Sequence, residues 1–116
     1  MGPKTARWLN DIVGARDFII STAHDRTLND YENDRVLRAA IERHFEILGE
    51  ALNRIRKSDP QTANRVPEWG AIVAFRNILI HGYDLIDHKR VWQVIRRDVP
   101  TLRAQIATIL QEEAGL

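Results

Sequence analysis

The stretch Phe75-Arg76-Asn77-Ile78-Leu79-Ile80-His81-Gly82-Tyr83 holds side chains that could cut a phosphodiester without a metal. Arginine offers a fork of permanent donors matched to a phosphate, and histidine accepts or gives a proton near neutral pH. In such a reaction His81 deprotonates a ribose 2′-hydroxyl, which attacks the neighbouring phosphorus, while Arg76 holds the charge that develops on the phosphoryl oxygens. On a helix turning about 100° per residue, Ile72, Val73, Leu79 and Ile80 flank Arg76 within one apolar arc. A guanidinium in that arc is costly unless it is paired or opens onto a cleft. Asn77 and His81 stand four residues apart and share a face, so a polar corner interrupts the apolar helix. Spacing alone leaves a plainer alternative open: the dipole at a helix C-terminus also favours a cation.

The elements that must position these residues read as four helices joined by short polar connections. The first spans about residues 5–22, with Trp8, Leu9, Ile12, Val13, Ile19 and Ile20 at helical spacing. Turn-forming residues fill 24–33, and Asn33 or Asp34 could cap a long second helix over 34–57. That helix carries Leu37, Ile41, Phe45, Leu48, Leu52 and Ile55 on one face, which Val36, Ala40, Ile47 and Ala51 widen. Pro60 marks the main connection, over 58–65, and Pro67 could begin the third helix, which ends at His81-Gly82. Asp87 is suited to cap the last helix, and Pro100 forces a kink or a restart capped by Asp98. The expected fold is a single all-α domain over residues 1–116, an antiparallel up-and-down bundle of four to five helices.

Composition narrows the function classes. The 116 residues include 44% hydrophobic and 28% charged residues, as in an ordinary globular protein. Seventeen basic residues against 16 acidic ones leave a net charge of +1, so contact with nucleic acid would need a local cluster. There is no cysteine, hence no disulfide, thiolate nucleophile or sulfur-based zinc site. No apolar run has the length of a membrane span, and the first residues lack the apolar core of a signal peptide, so a cytoplasmic location is expected.

Arg76-x4-His81-x-Tyr83, set in FRNILIHGY, resembles the arginine–x4–histidine–x–tyrosine signature of the HepT-like branch of HEPN proteins. The segment from Asp34 to Ala51 is similar to that family's second-helix pattern, and Val91-Trp92 followed by Asp98-Val99-Pro100 resembles its last helix. The resemblance implies a HEPN-like fold and a metal-independent endoribonuclease toxin acting as a homodimer on RNA. Arg76 and His81 would be the catalytic pair and Asn77 a supporting residue that orients substrate or His81. It also implies a partner, a minimal nucleotidyltransferase antitoxin of a type VII system, which transfers AMP from ATP onto Tyr83. The toxin itself then needs no cofactor and no metal, and ATP serves only the partner. Some HEPN relatives are inactive, so the family also admits a non-catalytic helical module that binds a nucleotidyltransferase.

Other residues read more plainly. His44 lies on the second helix's apolar face and fits a core or interface position with a satisfied ring nitrogen. Glu42, Glu46 and Glu50 form an i, i+4 stripe expected on a solvated face near Arg38 and Arg54. Lys89, Arg90, Arg96, Arg97 and Arg103 make the last helix basic, either as a solvated face or as a rim that steers RNA. His24 and His88 show no recognisable partner, and Trp8, Trp69 and Trp92 suit packing better than base stacking.

Overall fold

Pro3 opens the first helix, where a missing N–H costs nothing because no intrahelical acceptor exists for it. This helix, α1, runs Pro3–Ala23 and buries Leu9, Ile12, Ala15, Ile19 and Ala23, a three-and-four spacing that makes one stripe. The computed structural model describes residues 1–66, 70, 72 and 87–113.

The connection expected over 24–33 contains a helix of its own, α2, Leu28–Asn33. Six residues cannot sustain an isolated helix, so its ends and its burial hold it. The Thr27 hydroxyl accepts from the Asp30 N–H at 3.1 Å, the Asp30 carboxylate accepts from the Thr27 N–H at 2.9 Å, and Tyr31 is fully buried. Asp34 then caps α3, Arg35–Ser58, by accepting from the Leu37 N–H at 3.0 Å. The apolar face of α3 is as expected at Leu37, Ile41, Phe45, Leu48, Ala51, Leu52 and Ile55, all buried. Val36 departs from it and is 80% exposed, because α2 packs to the other side of the first turn.

The second expected connection also holds a turn of helix, α4, Pro60–Ala63. Asp59 caps it, accepting from the Thr62 N–H at 3.3 Å and from the Thr62 hydroxyl at 2.7 Å. Of the expected third helix, Gly70 and Ile72 are helical, Ile72 is buried, and the remainder lies outside the described residues. Asp87 caps α5, His88–Arg97, as its position suggested. At Pro100 the chain makes a short 3₁₀ turn, Val99–Thr101, before α6, Leu102–Glu113. Asp98 makes no side-chain cap there; its backbone carbonyl accepts from the Thr101 hydroxyl at 2.9 Å instead.

Cross-links between elements give the directions. Lys4 and Arg54 line one end of the α1–α3 seam while Phe18 stacks on His44 further along, so α1 and α3 are antiparallel. Arg96 reaches Ala23 and Arg26 while His88 and Trp92 meet Tyr31, which sets α5 antiparallel to the α2 region. Met1 pairs with Glu113, and Arg103 with Asp17, so α6 runs back along α1. The fold is an all-α up-and-down bundle, and its described helices share one core that includes Leu9, Ile12, Phe45, Leu48, Ile95 and Ile106.

Candidate functional site

Arg76, Asn77, His81 and Tyr83 all lie outside the described residues. What the structure establishes is the frame on either side of them: buried helical Ile72 before, and the capped start of α5 after. The Asp87 carboxylate accepts from the Lys89 N–H at 3.0 Å and the Arg90 N–H at 3.4 Å, which anchors the point where the chain leaves the segment.

α5 is fixed along its whole length. At its C-terminal end Arg96 donates to the carbonyls of Ala23 at 3.1 Å and Arg26 at 2.7 Å, and its guanidinium stacks 4.7 Å from the Trp92 ring centre. Trp92 in turn leans on Tyr31 at 5.6 Å, and at the N-terminal end the His88 ring meets Tyr31 edge-on, also at 5.6 Å. Sequence reasoning left His88 without a partner; the partner comes from α2, an element without a hydrophobic period of its own.

Glu42 belongs to the same cluster. Burial holds its carboxyl above the usual glutamate range, against the opposing pull of His88 and Arg38. The Tyr31 hydroxyl makes no hydrogen bond of normal geometry, yet it is close enough to the Glu42 carboxylate to be kept protonated by it. Burial first, and then that negative charge, push the Tyr31 phenol well above the ordinary tyrosine range. The carboxylate stripe on α3 is therefore split. Glu46 pairs with Arg43 at 3.3 Å and Glu50 with Arg54 at 3.0 Å on the exposed side, whereas Glu42 turns toward α2 and α5.

Between α1 and α3 runs an open groove of about 560 Å³, lined by Lys4, Arg7, Trp8, Arg43, Ile47 and Arg54 among others. Asp11, Glu46 and Glu50 sit in the same walls, so its charges nearly balance. His44 lies further along this seam, its Nδ1 2.8 Å from the Ala40 carbonyl and its ring stacked on Phe18 at 3.6 Å, as a histidine with a satisfied nitrogen should be. Trp8 and Trp92 pack against the core, in keeping with their helical positions.

A sequence model of the HepT-like ribonucleases matches residues 9–109, from the first buried apolar residue of α1 to the last buried one of α6. The chain belongs to the HepT-like ribonuclease family. The HepT-like match covers the Arg76-to-Tyr83 segment as well as both flanking sides. A protein of Caldanaerobacter subterraneus named as a candidate RNase is 33% identical across 95% of this chain and 98% of its own. Another so named, from Methanocaldococcus jannaschii, is 32% identical across 88% of this chain and 93% of its own. A candidate ribonuclease HepT of Thermococcus cleftensis is 28% identical across 84% and 88%. No solved structure gave a significant match.

Proposed function

We propose that this chain is a metal-independent endoribonuclease toxin of a type VII toxin–antitoxin pair, active as a homodimer, with Arg76 and His81 as its catalytic residues. The observation that carries the reading is the presence of Arg76-x4-His81-x-Tyr83 inside a family match that runs nearly the length of the chain. His81 removes the proton from a ribose 2′-hydroxyl. The 2′-oxygen bonds to the adjacent phosphorus, and the bond from phosphorus to the 5′-oxygen breaks with its electron pair passing to that oxygen. The 5′-oxygen takes up a proton from solvent as the one on His81 returns there, and the products are a 2′,3′-cyclic phosphate and a 5′-hydroxyl end. Arg76 neutralises the charge gathering on the non-bridging oxygens, and Asn77 orients substrate or the imidazole.

The antitoxin, a minimal nucleotidyltransferase, silences this chemistry at Tyr83. The phenolic oxygen attacks the α-phosphorus of ATP, pyrophosphate leaves, and a bulky anion now sits two residues from His81 and competes for Arg76.

Cleavage of RNA by the purified protein in chelator-containing buffer tests the first part. Wild type is expected to cut, and His81→Ala and Arg76→Ala to lose activity by at least roughly a hundredfold, as removal of a positioned acid–base group does. Equal activity in all three would remove the assignment, and a stable antitoxin complex without any cleavage would leave a binding module. For the switch, incubation with antitoxin and ATP should add mass in AMP units to wild type and none to Tyr83→Phe.

A further inference from the structure

α5 differs from α1 and α3 in carrying cations with no acid among them: Lys4, Arg7, Arg35 and Lys57 also have no ion-pair partner among the described residues, but they share their helices with Asp11, Asp17, Glu42, Glu46 and Glu50. Arg16, Arg26, Arg43, Arg54, Arg65 and Arg103 each have a carboxylate within 4.0 Å. Lys89, Arg90, Arg96 and Arg97 have none among the described residues, and α5 contains no acidic residue between its caps. All four are exposed, with Gln93 between them, and at about 100° per residue they share an arc of roughly 120° opposite buried Val91, Val94 and Ile95. Asp87, the nearest acid at the start, is occupied with the Lys89 and Arg90 N–H groups.

Two of these cations also sit at the wrong end for helix stability. Lys89 and Arg90 occupy the first turn, where the aligned peptide dipoles already present partial positive charge and an acidic residue is favoured. A face that merely needed solvation could be built from mixed charges, so this arrangement asks for a polyanion. Arg96 differs from the other three, because its carbonyl and Trp92 contacts hold it still.

We propose that the exposed face of α5, through Lys89, Arg90 and Arg97, grips the phosphate backbone of the RNA strand and so delivers it to the segment that precedes this helix. The proposal rests on the reading of the chain as a ribonuclease. Lys89 follows His81 by eight residues, a separation of at most roughly 29 Å even if the chain between were fully extended. Strand held on this face therefore stays within reach of the cutting pair. The contact is electrostatic and indifferent to base identity, which leaves any sequence preference to other residues.

Binding of a fluorescein-labelled single-stranded RNA, followed by anisotropy on a His81→Ala background so that the probe survives, tests it. Lys89→Glu/Arg90→Glu/Arg97→Glu should weaken binding by at least roughly tenfold and make the slope of log affinity against log salt shallower by about 2. Its melting temperature should be unchanged or higher. Lys89→Arg/Arg90→Lys/Arg97→Lys should bind as the parent does. Lys4→Glu/Arg7→Glu/Lys57→Glu, which reverses three exposed cations at the far end of α1 and α3, should bind nearly as well. Equal loss in that control, loss in the charge-preserving variant, or unaltered RNA binding in the α5 variant would each overturn the proposal. So would an α5 variant that loses only the nucleotidyltransferase complex, since the face would then serve a protein. With His81 intact, the α5 reversal should raise KM and leave kcat in place. Absence of cleavage in wild type with binding intact would sink the nuclease reading and leave the RNA-binding face standing.

Discussion

Glu42 shows how much a side chain's chemistry depends on neighbours remote in sequence. Glu42, Glu46 and Glu50 are indistinguishable by spacing, yet two are surface ion-pair partners and the third is drawn in against Tyr31 and His88. Local periodicity reported the helix and its core face; it could not report which neighbour would cover the third turn. The fold favours protonated Glu42, so the folded chain binds a proton more tightly than the unfolded one between the ordinary glutamate value and the raised one. Stability from this site is therefore fullest below the ordinary value and falls as pH climbs through that interval. Glu42→Gln, which keeps an acceptor near Tyr31, should melt at a higher temperature than wild type at neutral pH and at the same temperature in acid. Circular dichroism melts across pH check this, and a lower melting point at neutral pH would mean that attraction to His88 and Arg38 outweighs burial. Arg76, Asn77, His81 and Tyr83, on which the proposed function rests, were singled out by motif alone and lie outside the described residues.

Among the elements, the two long helices and the last pair were legible because hydrophobic spacing runs through them. α2 and α4 were not, being too short to show a period. Both depend on capping: Thr27 and Asp30 bridge each other's N–H groups, and Asp59 takes two donors from Thr62. Thr27→Ala should cost about 0.5–2 kcal/mol in urea denaturation. The loss should appear first around Tyr31, because unfastening α2 withdraws the ring against which His88 and Trp92 rest. In α5 the two ends are unequal: Arg96 and Arg97 suit the C-terminal dipole, while Lys89 and Arg90 oppose the N-terminal one at about 0.3–1 kcal/mol each. Tighter substrate capture at the expense of helix stability is a trade often met at working surfaces.

Taken whole, the molecule's net charge of +1 conceals a division of labour, with charges of both signs over α1 and α3 and only basic ones on α5. The bundle's stability rests on the α1–α3 seam and the layer that α5 and α6 add to it. Leu52, fully buried in that core, should cost about 2–5 kcal/mol on replacement by alanine, read as a lower urea midpoint with little change in slope. The bundle class followed from helix count and loop length, and the family from motif order. The helical turns inside the connections needed coordinates, because they are too short to show a hydrophobic period and rest on local caps.

Arg16 donates to Asp17 at 2.8 Å and to the Pro100 carbonyl at 3.2 Å, and Asp17 also faces Arg103, so the bend between the last two helices is bolted to the first. With Arg96 fastening the other side, this corner has little freedom to swing. Under the proposed RNA contact on α5, a flexible strand would meet a stiff rail here, and the ordering entropy of the encounter would fall on the nucleic acid. Backbone amides of residues 94–104 should consequently exchange with deuterium slowly, and at nearly the same rate before and after RNA is added.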